Sequence, residues 1–220
     1  MSNEIATVQE RLAQQLARQA EATKTMRTTG SFVSFKNAQL KVDGQPVPNN
    51  MADVRVLTAI GERVYYEDEY DADKTQVPTC YALDDTVPHE MASNPQADLC
   101  GECPQNKWGT GPRGKGKACR EGARVIIVPA NVPLQTAQMS TAKLPVSSLS
   151  TVTAFSSRCA AAGKLMGEFI TQLSVVEDKK TFFKVHLNIK ELSTDMNPEL
   201  LLVKQDEAYQ LALEPYPVLD

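Results

Sequence analysis

The sequence predicts a mainly β fold with added helices, an α+β protein whose strands close into a small antiparallel barrel. Three observations lead there. Short runs such as TFFKVHLNIKEL alternate apolar and polar residues with the period of a half-buried strand. Turn signals such as Asp43-Gly44 separate them. Helical periodicity is confined to the two ends of the chain and to one segment ahead of the last strand pair.

Taken in order, residues 3–25 predict an amphipathic helix with Ile5, Val8, Leu12 and Leu16 on one stripe and Ser2 or Asn3 as cap. Such a helix either packs on the domain or docks on a neighbouring molecule, and residues 1–29 form a first unit. A domain over 30–192 follows. Phe32, Val33 and Phe35 supply its first strand, and Leu40 and Val42 the next. Pro46 and Pro48 mark a loop, and Val54, Val56 and Thr58 share one strand face. The stretch VYYEDEY interleaves Tyr65, Tyr66 and Tyr70 with Glu67, Asp68, Glu69 and Asp71, so its rings either stack on a ligand or fill the core.

Residues 80–124 form an insertion of a different kind. Four of the five cysteines fall there as C-x19-C-x2-C-x15-C, at Cys80, Cys100, Cys103 and Cys119. A close CxxC pair with two further thiolates brought in by loops is what one structural zinc ion per chain needs. His89 lies between the first two and either replaces a ligand or is a solvated loop residue. Four thiolates leave no open position for water, so such an ion is a folding element and not a catalyst.

The loop between Cys103 and Cys119 carries Lys107, Trp108, Arg113, Lys115 and Lys117, with Arg120 and Arg124 directly after. No acidic residue lies between Cys103 and Arg120, although the chain as a whole is at −4. A basic patch on an acidic protein points to a polyanionic partner. Gly109, Gly111, Gly114 and Gly116 let the backbone approach such a partner and leave amide groups to point at phosphates. Trp108 either offers a ring for base stacking or packs against the cysteine knuckle. GPRGKGKA lacks the GxxxxGK[ST] spacing of a phosphate-binding P-loop.

Beyond the insertion, ARVIIVPA reads as a buried strand. LPVSSLSTVTAFSSRCAAAG reads as a helix started at Ser147 or Ser148, stopped at Gly163, with Cys159 as a small core residue. A hairpin follows, with Phe183, Val185, Leu187 and Ile189 on one face and His186 on the solvent side. Residues 193–220 hold a last helix from Asn197-Pro198 to about Leu213 and a loose acidic end. Five or six strands around a central insertion suit a barrel of the oligonucleotide-binding type, and a mixed α+β sandwich fits nearly as well. At 42% hydrophobic and 23% charged the chain has the composition of a soluble globule, and no apolar run nears the ~20 residues of a membrane span. The polar N-terminus shows no hydrophobic signal region, which gives a cytoplasmic, reducing location as the expectation.

The runs YYEDEYDADKTQVPTCYAL and SNPQADLCGECPQNKWGTGPRGKGKACREGARVIIVP resemble a family of zinc-containing single-stranded-DNA-binding proteins of tailed phages, over roughly residues 30–190. The order of strand, cysteine insertion, returning strand ARVIIVP and helix SSLSTVTAFSSRC is similar in layout to the single-stranded-DNA-binding protein of T-even phages. The resemblance implies an oligonucleotide-binding barrel with zinc on Cys80, Cys100, Cys103 and Cys119. It also implies a strand-binding groove lined by Lys107, Arg113, Lys115, Lys117, Arg120 and Arg124, with Trp108, Tyr65, Tyr66 and Tyr81 as stacking candidates. The host-cell cytoplasm, self-association and replication or recombination partners go with it. Three other functions stay open: a zinc-stabilised interaction or inhibitor protein, a virion structural protein, and a metal-dependent nuclease using Glu67 to Asp73. No PD…ExK pattern accompanies those acids.

Overall fold

The structure, a computed structural model, describes residues 31–68, 76–83, 86–193 and 196–217. The helix expected over 3–25, and Tyr70 with Glu69, Asp71 and Asp73, lie outside the described residues. Nine strands form one sheet: β1 (Ser31–Ser34), β2 (Lys41–Val42), β3 (Gln45–Pro46), β4 (Met51–Tyr65), β5 (Cys80–Ala82), β6 (Arg120–Pro129), β7 (Ser140–Pro145), β8 (Phe169–Asp178) and β9 (Phe182–Leu192). Helix α1 spans Leu149–Ala161 and α2 spans Pro198–Ala212. The α+β expectation holds, with more strands than the five or six expected. The surplus is short: β2 and β3 have two residues each and β5 three, too few for an alternation to be read.

The strand order is β3-β2-β1-β7-β6-β4-β8-β9, with β5 added on β4. All pairs are antiparallel except β1 with β7, which is parallel. The order ends at β3 on one side and β9 on the other, yet residues of β1 and β9 share one core: Val33, Phe35, Val185 and Leu187 lie in the same buried cluster. The rings of Phe35 and Phe183 are 6.4 Å apart. The described sheet is therefore a curled half-barrel whose inner face holds the main core.

Helix α1 fills the open side. Val152, Phe155 and Cys159 recur at helical spacing and are all buried in that core. Phe155 is 0% exposed, and burial of such a ring stabilises the fold by about 1.5–3 kcal/mol. Gly163, in the left-handed region at φ 66°, ends the helix as its position predicts. Ser148 precedes α1 but does not cap it: its hydroxyl oxygen accepts from the Val185 N–H at 2.9 Å. Ser147 Oγ donates to the Phe183 carbonyl and Arg158 Nη2 to the Leu187 carbonyl. These three side chains occupy three backbone groups on the outer edge of β9.

The opposite sheet face carries a second core. Strand β6 is buried from Ala123 to Val128: Val125 and Ile127 face inward, while Ile126 and Val128 meet Leu201, Ala208 and Ala212 of α2. Asn197 caps α2 by accepting from the N–H groups of Glu199 and Leu200 at 2.9 and 3.2 Å. The segment after α2 is not loose where it is described. Tyr216 lies under a third cluster with Tyr81 and Leu83.

Candidate metal centre and cationic loop

The long strand β4 positions the cysteines. At its end Tyr65 pairs with Cys80 of β5 on one edge, and Val64 pairs with Arg120, the residue after Cys119, on the other. Cys80 and Cys119 are thus held on the two flanks of one strand end. Hydrogen bonds tie in the intervening loop. The Cys100 N–H donates to the Thr86 carbonyl at 2.9 Å, Asn106 Nδ2 to the Cys100 carbonyl at 2.9 Å, and the Cys119 N–H to the Gln105 carbonyl at 2.9 Å. All four cysteines are buried and reduced, and all four line one cavity with Arg63, Tyr65, Tyr81, Ala82, Pro88, Gln96 and Ala97. Its free space is about 10 Å³, the room of about one water-sized sphere, which suits a single ion.

The thiols feel one another. Burial pushes the Cys119 thiol up to about 11, the Arg63 charge opposes that, and Cys103, Cys100 and Cys80 add to it. Burial also raises Cys80. Without a cation between them, four thiolates could not share this space; with one, they become ligands. The donor set fits a tetrahedral thiophilic ion. Among the described residues no three His, Cys, Asp or Glu side chains stand at ready ligand spacing; what the structure brings together is four thiols on one cavity. His89 is not part of its lining. Its ring stacks on Tyr81 at 5.0 Å, and its Nδ1 accepts from the Met91 N–H.

The loop between Cys103 and Cys119 presents its charge outward. Lys107, Arg113, Lys115 and Arg120 are exposed, and Trp108 is 81% exposed. Trp108 therefore does not pack on the knuckle. Lys117 is half-buried and paired with Glu121 at 2.7 Å, which holds the Glu121 carboxyl below its usual range. The glycine amides differ from the expectation. Gly109 and Gly111 donate to the Gly116 carbonyl, and Gly114 to that of Gly111, so these N–H groups hold the loop in shape and do not await phosphates. Thr110 Oγ1 lies 2.7 Å from the Lys107 carbonyl and accepts from the Ala118 N–H. At Gly111 a Cβ would stand 2.2 Å from the Lys115 carbonyl oxygen, so only glycine lets the two strands of the loop close.

Four of the candidate residues stand elsewhere. Arg124 is 4% exposed and pairs with Glu62 at 2.5 Å, while its Nη1 donates to the Ala212 and Glu214 carbonyls. It does not belong to the exposed basic surface, because a desolvated guanidinium keeps its charge only where every donor is matched. Tyr81 is 2% exposed, its ring set edge-on to Tyr216. Tyr66 is half-buried beside Glu62 and Tyr216, and burial raises its phenol. Tyr65, also half-buried, lines the cysteine cavity.

No family model matches this chain, and no curated protein or solved structure does. Among the described residues no helix is long and apolar enough to cross a membrane.

Sequence reading missed the polar cluster under the C-terminal segment. Tyr216 Oη donates to Glu62 Oε1 at 2.9 Å, and Lys143 Nζ sits 3.9 Å from the Tyr216 ring centroid. Burial holds the Lys143 ammonium down to about 8. It also missed Arg63 at the cavity. The available signal was a charge interrupting an apolar strand, as Glu62 does in β4 and Arg124 in β6.

Proposed function

We propose that the chain binds single-stranded DNA without reading sequence, in replication or recombination of the tailed-phage type, on a partly closed barrel of the oligonucleotide-binding kind. The observation that carries this is Trp108, a ring 81% exposed on a loop whose exposed charges are all positive. An exposed indole offers a flat apolar face beside those charges, the combination that single-strand binding uses. Stacking on it contributes about 1–3 kcal/mol per base and tolerates any base. Lys107, Arg113, Lys115 and Arg120 neutralise phosphates and release counterions. Cys80, Cys100, Cys103 and Cys119 would hold one zinc ion, which would cross-link the strand end to the loop and take no part in chemistry. Glycines already bonded within the loop make it a rigid presenter of Trp108.

Fluorescence-anisotropy titration of a labelled dT oligonucleotide, with a duplex control, tests the reading. Four cations in contact give a slope of log K against log salt of about −2.8, and Trp108 emission is quenched. No binding at low salt removes the nucleic-acid reading. The same exposed Trp108 favours a second reading, a zinc-stabilised protein-interaction module, since tryptophan anchors are typical of interfaces. A complex insensitive to salt would select it.

A further inference from the structure

Among the described residues lining the cysteine cavity, Arg63 carries the only positive charge. It sits on β4 two residues before Tyr65, its side chain only 13% exposed. Its Nη1 donates to Asn106 Oδ1 and to Glu121 Oε1, each at 3.0 Å. Asn106 in turn holds the Cys100 carbonyl at 2.9 Å, and Glu121 is shared with Lys117 of the cationic loop. A divalent ion bound by four thiolates carries a net charge of about −2. In a buried site that excess is costly unless an opposite charge stands close by. The rest of the lining is Tyr, Ala, Pro and Gln, none of which supplies one.

We propose that Arg63 is a positioning residue for the metal: its guanidinium offsets the negative charge of a tetrathiolate-bound ion, and through Asn106 it orients the Cys100–Cys103 knuckle. This rests on the reading of the four cysteines as a zinc site. Glu121 works against it by drawing off part of the guanidinium charge. The two residues therefore have opposite effects on metal affinity, which a purely structural salt bridge would not produce.

The test uses the full chain and Zn²⁺ in competition with a chromogenic chelator, with the thiolate charge-transfer band of Co²⁺ as a spectroscopic readout. Arg63→Met is expected to weaken Zn²⁺ binding by roughly 10–100-fold, the usual loss for an outer-shell partner. Arg63→Lys restores most of it. Glu121→Gln, which keeps Arg63 in place, tightens binding, and this variant decides the matter if Arg63→Met does not fold, an unchanged affinity then counting against the proposal. Equal Zn²⁺ affinity in the wild type and Arg63→Met overturns the proposal and leaves the metal site standing. Weakening by Glu121→Gln to the same degree as by Arg63→Met also overturns it, since both would then act through the fold. A wild-type chain that takes up neither Zn²⁺ nor Co²⁺ overturns the metal reading itself, and this proposal with it.

Discussion

Replacing Glu62 by Ala isolates the most deeply buried charge in the structure. Arg124 would keep its bonds to the Ala212 and Glu214 carbonyls but lose its counter-ion, both side chains of the pair being only 5–6% exposed. Tyr216 would lose its acceptor as well. Removing one partner of a buried pair costs about 3–5 kcal/mol, because the remaining charge is stranded in a medium that cannot solvate it. The two surviving carbonyl bonds place the expected loss at the lower end, about 3 kcal/mol. In a domain of this size that lowers the melting temperature by about 6–12 °C. Urea denaturation of Glu62→Ala, Arg124→Met and the double variant forms the assay. With Glu62→Leu in place of Glu62→Ala, the double variant should recover most of the loss, since an apolar pair of similar volume is often neutral. A loss below about 0.5 kcal/mol for Glu62→Ala would refute the argument, for it would mean that Arg124 is solvated. Arg124→Met would then be expected to reduce the salt dependence of DNA binding, as loss of an exposed cation does.

Lys143 gives a pH signature. Its ammonium is held at about 8 against an ordinary 10.5, so between these values the unfolded chain binds more protons and stability rises with pH. The penalty is fully present below pH 8, and the stability of wild type relative to Lys143→Met should increase from pH 8 to 10, as followed by urea midpoints; a constant difference would count against a desolvated ammonium. Ser148→Ala removes the acceptor of the Val185 N–H in a fully buried position, which should cost about 1–3 kcal/mol in chemical denaturation. Gly111→Ala brings a methyl against the Lys115 carbonyl, so about 1–3 kcal/mol should be lost from overpacking. An unchanged unfolding midpoint would show that the loop yields.

What could be read from the sequence was whatever is local. The β8–β9 hairpin was legible because Phe183, Val185, Leu187 and Ile189 keep a period of two, and β9 pairs with β8 along their whole shared length. Helix α1 was legible from Val152, Phe155 and Cys159 at helical spacing and from Gly163. The four cysteines were grouped by spacing alone, and they do line one cavity. The side chains around them were not legible. Arg124 was counted with the basic loop because it follows Arg120 by four positions. Its partner Glu62 is 62 residues away, and the phenol that completes the cluster is 154 from Glu62. Nothing in a linear pattern joins such residues. The glycine amides were expected to be available because glycine permits many turns, whereas which turn forms depends on the Gly116 carbonyl across the loop.

The two ends of the half-barrel bear on how copies of this chain can meet. An unpaired strand edge recruits other chains by continuing the sheet. Here one end is a two-residue strand finishing in Pro46, which has no N–H to donate. At the other end Ser147, Ser148 and Arg158 already occupy the Phe183 carbonyl, the Val185 N–H and the Leu187 carbonyl. Both ends are thus blunted as templates at these positions. Continuing the sheet from one copy into another is therefore hindered at Pro46 and along residues 183–187, and contacts made there run through side chains.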